Sequence, residues 1–200
     1  MKTIALDIND TLRDNLYQFK MIYQKFIDNS FDIKKDDITD FDLYNIFPFE
    51  NYDSYLNFKY EDYPFELFGR AEPTNKYLPY KLNDWLSVTL CDFEEEEIPN
   101  VIYVSPFEMG LSIQATLSFL SKVYTRNREY YFPIDSQTIW EKCDILITAN
   151  PNLISNVPEG KIVIAITQPY NKDIETKYRF NSLIDLIEDK NDTIIKIIED

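Results

Sequence analysis

The feature of this sequence that most constrains its fold is a series of short apolar runs separated by stretches with helical spacing. Their hydrophobicity is continuous rather than alternating, which is typical of strands buried on both faces of a parallel sheet. The sequence therefore predicts an α/β protein with a doubly wound parallel sheet. The predicted strands span 4–8, 101–105, 129–132, 144–149 and 161–167.

The segment between the first two predicted strands is the second organising feature. It contains roughly ninety residues, far more than one crossover helix needs. We interpret it as a helical cap inserted after the first strand, which assigns 14–94 to the cap and 1–13 with 95–200 to the core. Asp14 is a suitable cap for a helix that runs to about Asn29.

Further helices are predicted from apolar spacing and from capping residues. They cover 53–58, 78–86 and 112–123, and Ser136 is a suitable cap for a short helix that ends at Lys142. The last segment, 192–200, fits either a final strand or an amphipathic helix.

Length and charge limit the class of protein. Two hundred residues with 44% hydrophobic content predict one compact unit, and no apolar run approaches the ~20 residues of a membrane span. Without a basic leader, we expect a soluble protein made in a cytoplasm, with no membrane partner. The net charge of −15 disfavours nucleic acid as a partner and mildly disfavours a nucleotide substrate. Its simplest role is to keep the protein soluble.

The chain has no histidine and two cysteines, Cys91 and Cys143, which lie far apart. The absence of histidine excludes Ser-His and Cys-His nucleophile pairs and the usual zinc ligand. Any chemistry must therefore use carboxylates, lysine and oxygen-bound Mg²⁺. We interpret both cysteines as buried apolar residues.

Aromatic residues make up 16% of the chain, and many of them lie between Phe41 and Tyr80. Such a region fits a thin core whose polar tips reach its edge, or a surface that binds another protein. The sequence leaves both interpretations open.

The first strand ends in Asp7 and is followed by Asn9, Asp10 and Thr11. A carboxylate at the carboxyl end of a buried strand lies where open α/β sheets bind their ligands. The segment resembles the first motif of the haloacid dehalogenase-like (HAD-like) hydrolases, D-x-D-x-T-L, and Leu12 completes the match. The resemblance implies a Rossmannoid fold, a nucleophile at Asp7, an acid/base position at residue 9, and substrate binding near Thr11.

Two later segments extend the resemblance. The run VIYVSPF resembles the second HAD-like motif, which implies that Ser105 holds a phosphoryl oxygen. Lys142 resembles the third-motif lysine, which neutralises the nucleophile and the phosphate. The run TQPYN, followed by YRFNSL, is similar to 5′(3′)-deoxyribonucleotidases and their bacteriophage relatives.

The catalytic motifs are degenerate at two positions. Asn9 stands where the family has its acid/base aspartate, and 147–150 reads Ile-Thr-Ala-Asn where related enzymes have aspartates that bind Mg²⁺. Mg²⁺ usually takes one or two carboxylates, so Asp7 alone leaves an incomplete site, with Asp10 and Asp144 as misplaced substitutes. The loss of proton transfer costs ~10²–10⁴ in rate, and the loss of the metal costs several kcal/mol more.

Structural roles compete with catalytic ones at each of these positions. Asp7 can pair with Lys142 or cap the turn at Thr11, and Ser105 can end a strand ahead of a turn. Asp10 fits a turn-forming residue. Tyr178 and Arg179 are expected to cover an edge of the sheet.

The first of three functional hypotheses is a catalytically degenerate HAD-like domain of a bacteriophage, used as a structural or interaction protein, for example as a virion neck or tail component. It implies phage proteins or a second copy of the chain as partners, the infected host cytoplasm or the virion as location, and no cofactor. The alternative is a Mg²⁺-dependent phosphatase of the 5′(3′)-deoxyribonucleotidase type that acts on deoxynucleoside monophosphates through an aspartyl-phosphate. A third hypothesis is an anion or nucleotide sensor without turnover, which predicts thermal stabilisation by a phosphate-bearing ligand.

Overall fold

The computed structural model describes residues 2–88, 93, 98–123 and 129–199. These residues contain one parallel sheet of six strands in the order β3-β2-β1-β4-β5-β6. The strands are β1 (Thr3–Asp7), β2 (Asn100–Val104), β3 (Glu129–Tyr131), β4 (Ile145–Thr148), β5 (Ile162–Ile166) and β6 (Tyr178–Phe180).

All five predicted strands are present, and β6 is the additional one. It contains three half-buried residues, so its sequence has no apolar run that would predict a strand. Arg179 and Tyr178 therefore do not merely cover the edge of the sheet but form its last strand.

The central strand β1 pairs with β2 on one side and with β4 on the other. Ile4 lies opposite Val101 of β2 and Ile145 of β4, and the strand order reverses between β1 and β4. In open α/β sheets, ligands bind outside the carboxyl ends of the strands at such a reversal. Asp7, the last residue of β1, lies at this point.

Both faces of the sheet are covered, as continuous hydrophobicity predicts. The helices are α1 (Asn15–Phe26), α2 (Tyr52–Asn57), α3 (Leu78–Ser87), α4 (Leu111–Val123), α5 (Pro151–Ser155), α6 (Leu183–Ile187) and α7 (Thr193–Glu199). Ile4 and Leu6 pack in a cluster with residues of α3, α4, α6 and α7. Ala5 faces the opposite cluster, which includes Trp140 and α5 residues. Successive β1 residues thus serve opposite layers.

Several local predictions are confirmed. The Asp14 carboxylate caps α1 by accepting a hydrogen bond from the Tyr17 backbone nitrogen, and the last segment forms the helix α7 rather than a strand. Cys143 is buried, whereas Cys91 lies outside the described residues. The predicted cap at Ser136 is wrong, because the Asp135 side chain caps the short 3₁₀ helix Ser136–Glu141.

The inserted segment has its own aromatic core. Phe19, Phe47, Phe58 and Phe68 are buried together, and two π-helical turns, Phe58–Asp62 and Phe65–Gly69, follow α2. The second turn lies against α4, where a Cβ atom on Gly69 would come within 3.3 Å of the Ala115 carbonyl oxygen. Glycine therefore permits this close approach of the insert to the core.

The position of α3 refines the predicted insert at 14–94. Leu78, Leu82 and Trp85 of this helix belong to the cluster on the sheet, while the aromatic core of the insert ends at Phe68. By packing, α3 therefore belongs with the sheet. The division of the chain at 13/14 and 94/95 stays a prediction, and its second boundary lies outside the described residues.

Among the described residues, no helix combines the length and the apolar character that a membrane span requires.

Candidate functional site

Asp7 lies buried at the carboxyl edge of the sheet with one hydrogen bond on each carboxylate oxygen. The Thr148 hydroxyl, at the end of β4, donates to Oδ2 at 2.5 Å, and the Asn9 backbone nitrogen donates to Oδ1 at 3.3 Å. Burial raises the pKa of Asp7 to about 7, although both hydrogen bonds oppose the shift. The carboxyl is therefore partly protonated at neutral pH.

Asn9 is held in a buried polar network rather than directed into solvent. Its Nδ2 donates to the Ser105 hydroxyl at 2.9 Å, and its Oδ1 accepts from Nε of Arg13 at 3.2 Å and from Nη2 of the same guanidinium. The Ser105 hydroxyl in turn donates to Oε1 of Glu108 at 2.7 Å. The two positions that resemble an acid/base and a phosphate ligand are thus bonded to each other.

Arg13 is the centre of this network and has no exposed side-chain surface. Its Nη2 pairs with Oε1 of Glu108 at 2.8 Å, and its Nη1 donates to the Thr116 hydroxyl at 2.7 Å and to the Phe68 carbonyl at 3.0 Å. One guanidinium therefore joins the loops after β1 and β2, the helix α4 and the insert. A guanidinium so placed is neutralised by Glu108 and offers no free charge to a ligand.

Sequence reasoning missed Arg13 and Glu108 as parts of the site. Neither residue belongs to the motifs that carry the resemblance, and the residues around Arg13 in the sequence do not indicate that its side chain is buried. Finding the two residues would have required evidence that positions 13 and 108 are in contact.

Asp10 has the left-handed backbone conformation, with a φ of 56°, that aspartate tolerates in turns. Its carboxylate accepts from the Leu16 backbone nitrogen and from the Tyr170 hydroxyl, each at 2.9 Å. Burial raises its pKa to about 6. These contacts match the role of a turn residue that also orients the start of α1.

The structure does not place Asp144 or Lys142 beside Asp7, Asn9 and Ser105. Asp144 precedes the first residue of β4, and its carboxylate accepts from the Thr3 backbone nitrogen at 2.9 Å and pairs with Lys161 at 3.0 Å. It therefore lies at the amino edge of the sheet, opposite Asp7, and cannot replace a metal ligand there. Lys142 is an exposed residue of the same connection, with its ammonium 5.8 Å from the Tyr131 ring centre.

Thr11 has different neighbours from Asp7, Asn9 and Ser105. Its backbone carbonyl accepts from the Thr74 hydroxyl at 3.0 Å, and its own hydroxyl is buried without a hydrogen-bond partner among the described residues. It lines a separate, more open cavity with Gln168 and Ser182. The structure therefore separates Thr11 from Asn9 and Ser105.

A cavity of about 440 Å³ opens over Asp7 between the core and the insert. Asp7, Asp10 and Asn150 lie on the side of the sheet, while Lys59 and Tyr60 come from the first π-helical turn. The Lys59 ammonium lies 4.9 Å from the Tyr60 ring centre, in the range of a cation–π contact. Among the described residues, Lys59 is the one cation that lines this cavity, and Lys142 does not line it.

The residues around Asp7 do not fit a Mg²⁺ ion, which the resemblance to HAD-like hydrolases implies for an active enzyme. Mg²⁺ needs near-octahedral oxygen coordination and usually takes one or two carboxylates. Thr148 donates a hydrogen bond to Asp7 where related enzymes would place a further aspartate, and Asp10 already accepts from Leu16 and Tyr170. Within the described part of the chain, no three acidic, cysteine or histidine side chains are grouped as a metal site.

The fold is shared with a protein from Burkholderia xenovorans LB400 that is described as a haloacid dehalogenase-like hydrolase. The alignment has a TM-score of 0.55 and 10% sequence identity, and covers 96% of this chain and 97% of that chain. No protein-family model and no curated protein matches the sequence. A similarity at this identity shows the fold alone, and it confirms the predicted doubly wound α/β fold, which that hydrolase shares.

Proposed function

We propose that this chain is a HAD-fold protein that has lost phosphoryl-transfer chemistry and acts by binding, as a structural or interaction protein. The observation that carries the proposal is the state of residue 9. Asn9 has no proton to transfer, and its amide is bonded on one side to Arg13 and on the other to Ser105. The side chain at the position of the general acid therefore belongs to a hydrogen-bonded network that connects the loops after β1 and β2.

The proton and charge balance at Asp7 supports the same conclusion. An aspartyl-phosphate mechanism needs an ionised nucleophile, and burial, which raises the pKa of Asp7 to about 7, disfavours that form. Replacement of a general acid by an amide removes a factor of ~10²–10⁴ in rate. The Thr148 hydroxyl stands in place of a carboxylate that would hold a metal.

The surroundings of Ser105 also oppose phosphate binding. Its hydroxyl is buried, accepts a hydrogen bond from Asn9 and donates one to Glu108, so a phosphate would have to displace these partners. The expected counter-charge, Lys142, is exposed and does not line the cavity over Asp7. The Arg13 guanidinium is already paired with Glu108.

The proposed setting is a bacteriophage, with other phage proteins or a second copy of the chain as partners. The support is the resemblance of 167–171 and 178–183 to phage nucleotidase relatives. Tyr77 and Tyr80, at the start of α3, are 59% and 70% exposed. Exposed tyrosines are enriched at protein interfaces, which favours a contact role in the infected host cytoplasm or in the virion.

The direct test is a turnover assay with p-nitrophenyl phosphate and a panel of deoxynucleoside monophosphates, with and without Mg²⁺. We expect the wild-type protein and the matched Asp7→Asn variant to give the same background rate. Turnover by the wild type that disappears in Asp7→Asn would overturn the proposal. Proteomic detection of the chain in purified phage particles tests the proposed setting separately.

A phosphatase of the 5′(3′)-deoxyribonucleotidase type is the second candidate. The cavity over Asp7 favours it, because the family nucleophile lines a volume large enough for a nucleoside monophosphate. The same turnover assay decides between the two candidates.

A further inference from the structure

The cavity over Asp7 contains a buried hydrogen-bond donor without a partner. Asn150 is 3% exposed and lines the cavity, and its Oδ1 accepts from the Asn152 backbone nitrogen at 3.0 Å, which fixes the amide orientation. Its Nδ2 has no hydrogen-bond partner among the described residues. A buried donor left unpaired is costly, so this atom indicates a missing acceptor.

The cavity also contains a hydrogen-bond acceptor, because Asp7 lines it together with Asn150. The Thr148 hydroxyl connects the two residues: it accepts from the Asn150 backbone nitrogen at 2.9 Å and donates to Asp7 at 2.5 Å. The Asp7 carboxylate keeps lone pairs beyond the two bonds it accepts. The protein thus offers a donor, Nδ2 of Asn150, and an acceptor, the carboxylate of Asp7. A primary carboxamide carries both complementary groups, a carbonyl oxygen that accepts and an amide nitrogen that donates.

The aromatic walls of the cavity favour a ligand with a planar, apolar ring. Aromatic side chains from the insert and from the loops of the core line it: Phe41, Tyr52, Tyr55, Tyr60, Phe107 and Tyr170. Phe107 has a φ of 63°, which is an uncommon and strained conformation for a bulky residue. Backbone strain of this kind clusters at ligand sites, where the surrounding structure maintains it.

The charges on the lining favour an uncharged ligand over an anionic one. Asp7, Asp10 and Asp42 face the cavity, and Lys59 is its one cation among the described residues. An anionic group in this cavity would face three carboxylic acids and one ammonium, whereas an uncharged carboxamide adds no further negative charge.

We propose that this cavity binds a small, uncharged ring compound that bears a primary carboxamide. The carbonyl oxygen of the ligand accepts from Nδ2 of Asn150, its amide nitrogen donates to Asp7, and its ring lies among the aromatic walls. The inference is independent of the proposed assembly role, because a non-catalytic protein with or without phage partners could use such a site.

The test is calorimetric titration of the full chain with benzamide, and with benzoate as an anion of the same shape. We expect saturable benzamide binding in about the millimolar range, as befits a ligand of this size, and benzoate binding at least about tenfold weaker. Absence of benzamide binding, or benzoate binding of equal strength, would overturn the proposal. Turnover in the phosphatase assay is a separate readout and leaves this result unaffected.

Variants of Asn150 assign the binding to the proposed atoms. Asn150→Ser keeps a capping oxygen for α5 but removes the amide donor, so benzamide affinity should fall about tenfold. The matched control is Asn156→Ser, an exposed position beyond the other end of α5, where affinity should not change. Unchanged affinity in Asn150→Ser would contradict the assignment. If that variant does not fold, Asn150→Asp, which keeps the cap and the side-chain size, replaces it with the same expected loss.

Discussion

Asp144 and Asp7 lie at opposite ends of the neighbouring strands β4 and β1, and the protein stabilises their charges differently. The backbone hydrogen bond from Thr3, together with the ion pair to Lys161, holds the pKa of Asp144 below its ordinary value. Asp7 is buried with a hydroxyl and a backbone nitrogen as partners, and burial raises its pKa to about 7. One carboxylate anchors a strand, while the other is a desolvated group at a ligand-binding edge.

The ion pairs at the two ends of the sheet also differ in how far they are exposed to solvent. Lys161 and Asp144 have side chains that are 28% and 44% exposed, whereas Arg13 and Glu108 are 0% and 2% exposed. Solvated pairs add little to stability, and a buried pair becomes costly when one partner is removed. The carboxyl edge of the sheet therefore has a buried ion pair within a hydrogen-bonded network, whereas the amino edge has a partly solvated pair.

The largest effect is expected from Arg13→Met. This substitution leaves Glu108 as a buried charge without its counterion and should lower the free energy of unfolding by about 3–5 kcal/mol. Urea denaturation monitored by circular dichroism measures the loss. A decrease below about 1 kcal/mol would show that the pair contributes no more than a surface ion pair.

A double-mutant cycle sharpens the result. Arg13→Met combined with Glu108→Gln removes the charge that Arg13 neutralises, so the double variant should be more stable than Arg13→Met alone. Additive effects of the two substitutions would contradict direct coupling between these side chains.

The second effect is the pH dependence of stability due to Asp7. Between the ordinary pKa of 3.8 and the folded-state pKa of about 7, the folded protein binds more protons at Asp7 than the unfolded chain does. The contribution of Asp7 to stability is therefore present at low pH and is lost as the pH rises through about 7. Relative to Asp7→Asn, the wild type should lose up to about 4 kcal/mol from about pH 4 to about pH 8.

Asp144→Asn is the matched control, because the pKa of Asp144 is lowered rather than raised. The contribution of Asp144 is present above its ordinary pKa and is lost as the pH falls below it, so this comparison has the opposite slope. Thermal unfolding of the three proteins measures both slopes when the pH range is extended below 3.8, where the contribution of Asp144 changes. Equal slopes for the two variants would contradict the difference between the ends of the sheet.

A smaller effect is expected from Lys161→Ala, which removes the half-exposed partner of Asp144. The free energy of unfolding should fall by no more than about 1 kcal/mol, because solvent replaces the ion pair. The change should also shrink at high salt, which screens exposed charges. A loss as large as that of Arg13→Met in the same urea experiment would contradict the contrast between the two pairs.

The smallest effect is expected from Lys142→Ala. The side chain is exposed and does not line the cavity over Asp7, so stability should change by no more than about 0.5 kcal/mol. The pH dependence of stability that Asp7 causes in the wild type should be unchanged in this variant. A shift of that pH dependence would show that Lys142 interacts with Asp7.

Much of the fold could be predicted because buried parallel strands have an unusual sequence pattern. The continuous apolar runs around Leu6, Val104 and Leu146 identify strands that are covered on both faces. β6 could not be predicted, because an edge strand of three half-buried residues needs no such run. The placement of α3 on the sheet also could not be predicted, because its apolar face fits either layer.

The site was less predictable than the fold. Asp7 and Thr148 follow from the ends of their strands, since parallel strands bring their carboxyl ends to one edge. Arg13 and Glu108 pair through loops, Lys59 reaches the cavity from a π-helical turn, and the geometry of all three depends on tertiary packing. Lys142 does not line the cavity, because a resemblance in sequence spacing does not show where the side chain of a connecting segment lies.

Calorimetric titration of Mg²⁺ into the wild-type protein and the Asp7→Ala and Thr148→Asp variants, with a metal fluoride as phosphate analogue, tests the central claim most directly. We predict no saturable binding by the wild type or Asp7→Ala, and binding gained in Thr148→Asp, which supplies the second carboxylate. Saturable binding by the wild type that Asp7→Ala abolishes would contradict the claim that the catalytic site is lost.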